Sequence, residues 1–263
     1  MRLEALGDAA WQHVNNRYYD GAHYDRRYED YVHDVQFWCD LAEASGRRVL
    51  ELAAGTGRLS LPIAARGIDV VGLDIAQAML SRAKSKAGAD GPRFLVGDMR
   101  DFDLDQRFDL IMIACSSICH LLSDDDVLSC FASARRHLDA GGTFAMDLVL
   151  PARETAIADG QWRPRFGYLD PAGRGDVTVR GRRSYDVASR ILTDELDYEF
   201  SDDGRVERAT RVSRMYPFDQ LCPLLERSGF AIRECHGGFG GEPLTDTSAI
   251  QVLICERAPR MAG

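Results

Sequence analysis

Apolar positions fall into three regimes along the chain. In residues 1–46 they recur at helical spacing: Tyr31, Val35, Trp38 and the pair Leu41 and Ala42 make one stripe, and Gly46 ends it. Aromatic side chains crowd the stretch before that stripe, among them Trp11, Tyr18, Tyr19, Tyr24 and Tyr28. This pattern predicts a mostly helical cover, packed on a core or closing over a ligand. From Arg48 onward, short apolar runs alternate with helical stretches. Strands are expected at 49–52, 69–73, 93–96, 108–114 and 143–148. Helices are expected at 59–65, at 75–88 with Ala78, Met79 and Ala83 inward, and at 124–138, ended by the Gly141-Gly142 turn. Such alternation predicts a parallel sheet with helices on both faces.

After Pro151 the period changes to two. Segments 177–179, 192–200 and 206–212 are strand candidates, with Asp202-Asp203-Gly204 turning between the last two. A helix over 217–228 and a closing strand pair at 230–235 and 249–255 complete the chain. The expected architecture is a doubly wound, Rossmann-like α/β domain formed by 47–151 and 217–257. It carries a helical cover at 1–46 and an antiparallel insert at 152–216, which serves as acceptor pocket or subunit contact.

Composition narrows the function classes. The 263 residues are 45% hydrophobic and 28% charged, which is ordinary for a packed globular protein. A net charge of -9 repels phosphate backbones and anionic membranes, so neither nucleic acid nor membrane is an expected partner. No apolar run reaches the roughly 18 residues of a membrane span, and Glu4, Asp8 and Asp20 interrupt any early signal core. Seven cysteines, an odd number without a Cys-x-x-Cys pair, predict reduced thiols and a cytoplasmic location. No metal cluster is expected, because the Asp124-Asp125-Asp126 run opens a helix, where acids favour the N-terminus.

The chemistry concentrates at the ends of the first three strands. Glu51 closes the first and leads into Gly55-Thr56-Gly57-Arg58, a turn whose glycines let backbone approach a ligand. Counted from Gly55, the sixth position is Ser60, so the third glycine of a dinucleotide fingerprint is missing. Glu51 would repel a pyrophosphate but suits a cation or an amino group. Asp74 ends the second strand, where a carboxylate can accept from both hydroxyls of a ribose. Asp98 and Met99 end the third, where they suit an adenine amino group and ring face. One such acid is most simply a helix cap; three at successive strand ends make a constellation.

That constellation resembles the class I S-adenosylmethionine-dependent methyltransferases, over 49–63, 70–80, 94–102 and 108–122. The resemblance implies S-adenosyl-L-methionine as cofactor and S-adenosyl-L-homocysteine as product. It implies that Ala53, Gly55, Gly57 and Arg58 lie beside the methionine part, with Glu51 reaching its amino group directly or through water. Asp74 then holds the ribose, Ile75 lines the adenine, Asp98 and Met99 bind it, Met79 is a further cofactor-binding residue, and Ala114 offers a carbonyl to the cofactor amine. One departure is Ala53-Ala54, where many members have Gly-Cys. Two flanks, Arg17-Tyr18-Tyr19-Asp20 and Ser116 to Leu121, are similar to small-molecule enzymes of natural-product biosynthesis, including bacterial amino-sugar N-methyltransferases. By that likeness Tyr19 or Tyr24 closes over the cofactor carboxylate or the acceptor. Ser117, Trp162, Arg165 and Phe166 fall on the acceptor side.

His120 is the candidate general base, because imidazole accepts protons near neutral pH; a cap or structural role is its alternative. The reaction expected is methyl transfer to nitrogen or oxygen of a small metabolite. An NAD-dependent oxidoreductase is disfavoured by Glu51 and Ser60, and a cofactor-binding member without turnover has the same motifs. Arginines 180, 182, 183, 190, 205, 208, 211 and 214 make the insert basic. They form a solvated face, an anionic-acceptor site or the contact of a homodimer.

Overall fold

The computed structural model describes residues 20–150 and 158–259. It opens with α1 (Gly21–Arg27) and α2 (Val35–Ser45). Strands and helices then alternate as β1 (Arg48–Leu52), α3 (Ser60–Ala64), β2 (Asp69–Asp74), α4 (Gln77–Lys86), β3 (Arg93–Val96), β4 (Phe108–Ile113), α5 (Asp124–His137) and β5 (Leu138–Val149). Four strands follow: β6 (Arg163–Leu169), β7 (Asp176–Asp186), β8 (Ile191–Phe200) and β9 (Val206–Arg214). The next helix, α6 (Phe218–Arg227), leads into β10 (Phe230–His236) and β11 (Ile250–Arg257).

The main sheet has the order β10-β11-β5-β4-β1-β2-β3. Strands β1 to β5 are parallel, and β11 runs antiparallel to both of its neighbours. The chain builds outward from β1 to β2 and β3, then returns to place β4 on the other side of β1. The loops after β1 and β4 therefore diverge, which opens a crevice at the carboxyl ends of the strands. Alternate side chains fill both faces: Leu50, Leu52, Ile111 and Ile113 on one, Val49, Val70, Leu110 and Met112 on the other. Burial on both sides is why these strands are continuously apolar. The doubly wound α/β fold with an added antiparallel sheet is the one expected from the sequence.

Details differ where local signals compete. Pro164 and Gly167 mask β6, which the periodicity does not predict; it pairs with β7 through a register shift between Pro164 and Phe166. The Gly141-Gly142 turn is part of β5. At Gly142 a Cβ would lie 3.1 Å from the Asp109 carbonyl oxygen, so glycine lets the strand pass close to β4. In α4 the buried face is Met79, Leu80 and Ala83, and Ala78 is exposed, because the helix starts at Gln77. Tyr31 precedes α2 rather than joining its stripe. Trp11, Tyr18 and Tyr19 lie outside the described residues. Among the described residues no helix is long and apolar enough to cross a membrane.

Side-chain bonds fasten the layers around the crevice. The Tyr216 hydroxyl, just after β9, donates to the Leu121 carbonyl at 2.5 Å. Helix α1 joins β6 through His23 Nδ1 and the Tyr168 hydroxyl at 2.9 Å, and joins α4 through Asp25 with Arg82 and Lys86. Arg58, in the glycine turn, forks onto fully buried Asp34 with two bonds of 2.7 Å and donates to the Tyr31 carbonyl at 3.1 Å. Burial opposes the Arg58 charge, but the Asp34 bonds outweigh it and raise its pKa. Arg58→Ala should cost about 3–5 kcal/mol by stranding a buried carboxylate. Arg82→Ala, at a half-exposed pair, should cost under about 1 kcal/mol. Urea denaturation of both variants checks this; equal losses would mean that the Arg58–Asp34 fork does not fasten the cover.

Candidate active site

The turn after β1 is set by one carboxylate. Asp74, at the end of β2, accepts from Gly55 N at 2.8 Å with one oxygen and from Ala76 N at 2.7 Å with the other. It thereby ties the glycine turn to the entry of α4. Each oxygen keeps a lone-pair site for a further donor. Burial pushes its pKa up, against the three backbone bonds that favour the charge. Ala53 and Gly55 both adopt positive φ, +59° and +57°. For Ala53 this is strained backbone, the kind concentrated at functional sites.

Behind the turn lies Glu51, 4% exposed, whose carboxylate takes a bond from the Ser60 hydroxyl. Burial raises its pKa to about 7. The end of β4 supplies a second buried acid environment. Cys115 and Ser116 have φ of +55° and +60°. They are held there by Asp147, whose carboxylate accepts from Cys115 N at 2.8 Å and whose carbonyl accepts from Ser116 N at 3.2 Å. Burial raises Asp147 to about 7 as well, and raises the Cys115 thiol to about 11, so that thiol stays protonated.

The adenine end differs from the simple expectation. Asp98 accepts from the Arg100 guanidinium at 2.7 and 2.9 Å and from Arg100 N at 2.9 Å. Arg100 also reaches Asp126 at 2.9 Å. Asp98 is therefore shared between Arg100 and whatever enters the cleft. The Ser123 hydroxyl caps α5 through Asp126 N at 3.1 Å, so Asp126 is both a first-turn acid and a partner of Arg100.

A further wall of the cleft is formed by the 3-10 turn Ser117–His120 and by β9. Burial, and then the charge of Arg211, lower the His120 pKa to about 4, so the ring is neutral at neutral pH. Arg211 is held by Asp194, which is 2% exposed and also binds Arg183 at 2.7 Å and Arg165 at 3.4 Å. Burial opposes the Asp194 charge, but Arg211 and Arg183 more than offset it and lower its pKa.

Asp74, Asp98, Arg100, Cys115, His120 and Arg211 line one cleft. Of the sequence-predicted residues, Tyr24, Ala53, Gly55, Asp74, Ile75, Met79, Asp98, Met99, Ser117 and His120 line it. Glu51 and Ala114 are buried beneath it, and Gly57 packs under Phe94. Arg58 is turned to Asp34 and does not line the cleft. Trp162 stands between Arg182 and Arg208, at 5.6 and 5.3 Å, and Phe166 lies under Arg27; neither lines the cleft, nor does Arg165. Tyr19 lies outside the described residues.

Thr210, Arg211 and Val212 of β9 occupy the wall expected for those insert residues. Strand periodicity carries a signal for Arg211: three positions from Arg208, it falls on the opposite face of β9. Arg208 pairs with Asp197 outside, Arg211 with Asp194 inside. The donor set fits S-adenosylmethionine. Carboxylates gather at the turn, apolar Ile75, Met79 and Met99 flank the base position, and the arginine of the turn is taken by Asp34, so no pyrophosphate site remains there.

The family described as a methyltransferase domain matches residues 49–142. The chain is 25% identical over 218 residues to the cypemycin N-terminal methyltransferase of a Streptomyces species, covering 81% of this chain and 84% of that one. It is 29% identical over 162 residues to a dTDP-4-amino-2,3,4,6-tetradeoxy-D-glucose N,N-dimethyltransferase of Saccharopolyspora spinosa, covering 62% and 55%. Its fold matches that of CalS10, an amino pentose methyltransferase of Micromonospora echinaspora solved with S-adenosylmethionine bound. The TM-score there is 0.67, with 21% identity, over 98% of this chain and 100% of that one.

If Glu51 serves the cofactor ammonium, it must be ionised to do so. Its raised pKa then makes S-adenosylmethionine affinity fall as pH drops below about 7, by about tenfold per unit at the limit. Glu51→Gln should bind more weakly above pH 7 and lose most of this slope. Calorimetric titration from pH 5.5 to 8.5 checks it; an unchanged slope in the variant would move the titration to Asp147.

Proposed function

Given that the chain is an S-adenosylmethionine-dependent methyltransferase, we propose that it methylates the nitrogen of a small-molecule amine. The observation that carries this reading is the His120 environment. With a pKa near 4, this imidazole is too weak a base to draw a proton from a hydroxyl at neutral pH. A neutral amine needs no such help, because its lone pair is already the nucleophile. The burial and the Arg211 charge that together depress His120 also disfavour an ammonium at the same place, and so keep the acceptor nucleophilic. Similarity to enzymes named for N-methylation of a peptide N-terminus and of an amino sugar supports the same choice.

Bound S-adenosylmethionine supplies an electrophilic methyl on a sulfonium. In the proposed mechanism, Asp74 holds the ribose, Ile75, Met79 and Met99 flank the adenine, and Glu51 with the buried Asp147 favours the cationic amino acid part. His120 accepts a hydrogen bond from the acceptor N–H and aims the lone pair along the line of displacement. S-adenosylmethionine so held would supply its methyl to that lone pair, and its sulfur would keep the electron pair of the carbon–sulfur bond. The new ammonium then loses its proton to water. We assign cofactor binding to 47–151 and 217–257, and acceptor selection to the 152–216 insert under the 1–46 cover.

Turnover against matched amines and alcohols, read by mass spectrometry, tests the acceptor atom; an O-methyl product as the main outcome would overturn the reading. For His120, alignment rather than proton transfer predicts a modest effect. His120→Ala should lower kcat by about 10–100-fold and leave the shape of the pH profile from 5.5 to 9 unchanged. A loss beyond about 10³-fold, with an imidazole limb present only in wild type, would restore His120 as the base.

A further inference from the structure

Five arginines converge on a groove at the far end of the sheet from the cleft: Arg107, Arg135, Arg136, Arg227 and Arg257, beside Ser228. Arg107 immediately precedes β4, and Arg135 and Arg136 lie in the last turn of α5, just before β5. Arg227 ends α6, and Arg257 ends β11 opposite Phe230. The groove therefore sits at the amino ends of β4 and β5, a full strand length from the carboxyl ends that form the cleft.

Several of these side chains are fixed in place by backbone. Arg135 Nε donates to the Gly229 carbonyl at 3.4 Å. Gly229 has φ +76°, and a Cβ there would lie 2.8 Å from Arg135 Nε, so this residue must be small for the arginine to seat. Arg257 Nη2 donates to the carbonyls of Arg135 and, at 2.5 Å, of Leu138. Arg107 reaches the same Leu138 carbonyl at 3.2 Å. Arg136 donates to the Phe102 carbonyl at 3.3 Å and to the Ser133 hydroxyl at 3.0 Å, and faces Asp101 at 3.7 Å. The carboxyl ends of α5 and α6 both meet here, and their negative dipole ends make this clustering of cations tolerable. In a chain of net charge -9, the clustering is a local arrangement and not a by-product of overall composition.

We propose that this groove binds a phosphate-bearing small molecule, at a site separate from the methyl-transfer cleft. Guanidinium forks match phosphate oxygens in pairs, and forks already held by backbone lose little freedom on binding. The acidic remainder of the surface disfavours an extended polyanion such as RNA.

The test uses the full chain saturated with S-adenosylhomocysteine, so that the cleft is closed to the probe, and titrates inorganic pyrophosphate by calorimetry. Binding is expected, weakening as salt rises. The double variant Arg136→Ala/Arg227→Ala changes two exposed side chains. It should weaken pyrophosphate at least about tenfold and leave S-adenosylhomocysteine affinity unchanged, while Arg180→Ala on β7 should change neither. No binding to the wild type would overturn the proposal, as would equal affinity in the double variant. Sulfate bound as tightly as pyrophosphate would reduce the groove to counter-ion binding and overturn it too. A short single-stranded RNA bound more tightly through the same two arginines would replace the small molecule with a nucleic acid.

Discussion

The site depends on one carboxylate doing two structural jobs before it meets a ligand. Asp74 bonds Gly55 N and Ala76 N, so the turn after β1 and the start of α4 are placed by the same side chain. Hydrogen bonds to a charged group are worth about 1.5–3 kcal/mol each, enough to hold the strained Ala53 turn in place. The arrangement requires β1 and β2 to be adjacent and in register, which pairs Glu51 with Gly72 and Leu52 with Leu73. Gly72 must be small, since a Cβ there would come within 2.7 Å of Phe94 and 2.9 Å of the Ala54 Cβ. Sheet topology, turn and cofactor position are thus one constraint.

Around that anchor two further carboxylates, Glu51 and Asp147, are buried. Glu51 and Asp147 titrate near 7 because burial penalises their charge. The cation that could neutralise them, Arg58, is drawn aside by Asp34. A ligand bringing its own positive charge relieves this situation; one bringing phosphates aggravates it. Another wall of the cleft differs in charge, because Arg211 of β9 lines it.

Much of the cleft lining was legible in the sequence. Strand ends marked by Glu51, Asp74 and Asp98 follow from local patterns that the sheet preserves, and the left-handed turn was marked by Gly55. The rest was less legible. Pro164 and Gly167 hide β6 from the periodicity, and it is β9, not Trp162, Arg165 or Phe166, that lines the cleft. Asp98 looked like a free acceptor because its bond to Arg100, two residues on, leaves no periodic trace. The basicity of His120 depends on burial and on Arg211, 91 positions away in the chain; only the fold brings them together.

The central claim is that Asp74 holds the cofactor ribose while shaping the turn. A thermodynamic cycle separates these roles: S-adenosylhomocysteine and an analogue lacking the ribose hydroxyls, each titrated into wild type and Asp74→Ala. In wild type the missing hydroxyls should cost about 1–3 kcal/mol for each hydrogen bond lost. In the variant the two ligands should bind with nearly equal affinity. The same discrimination in both proteins would contradict the account and place the ribose elsewhere.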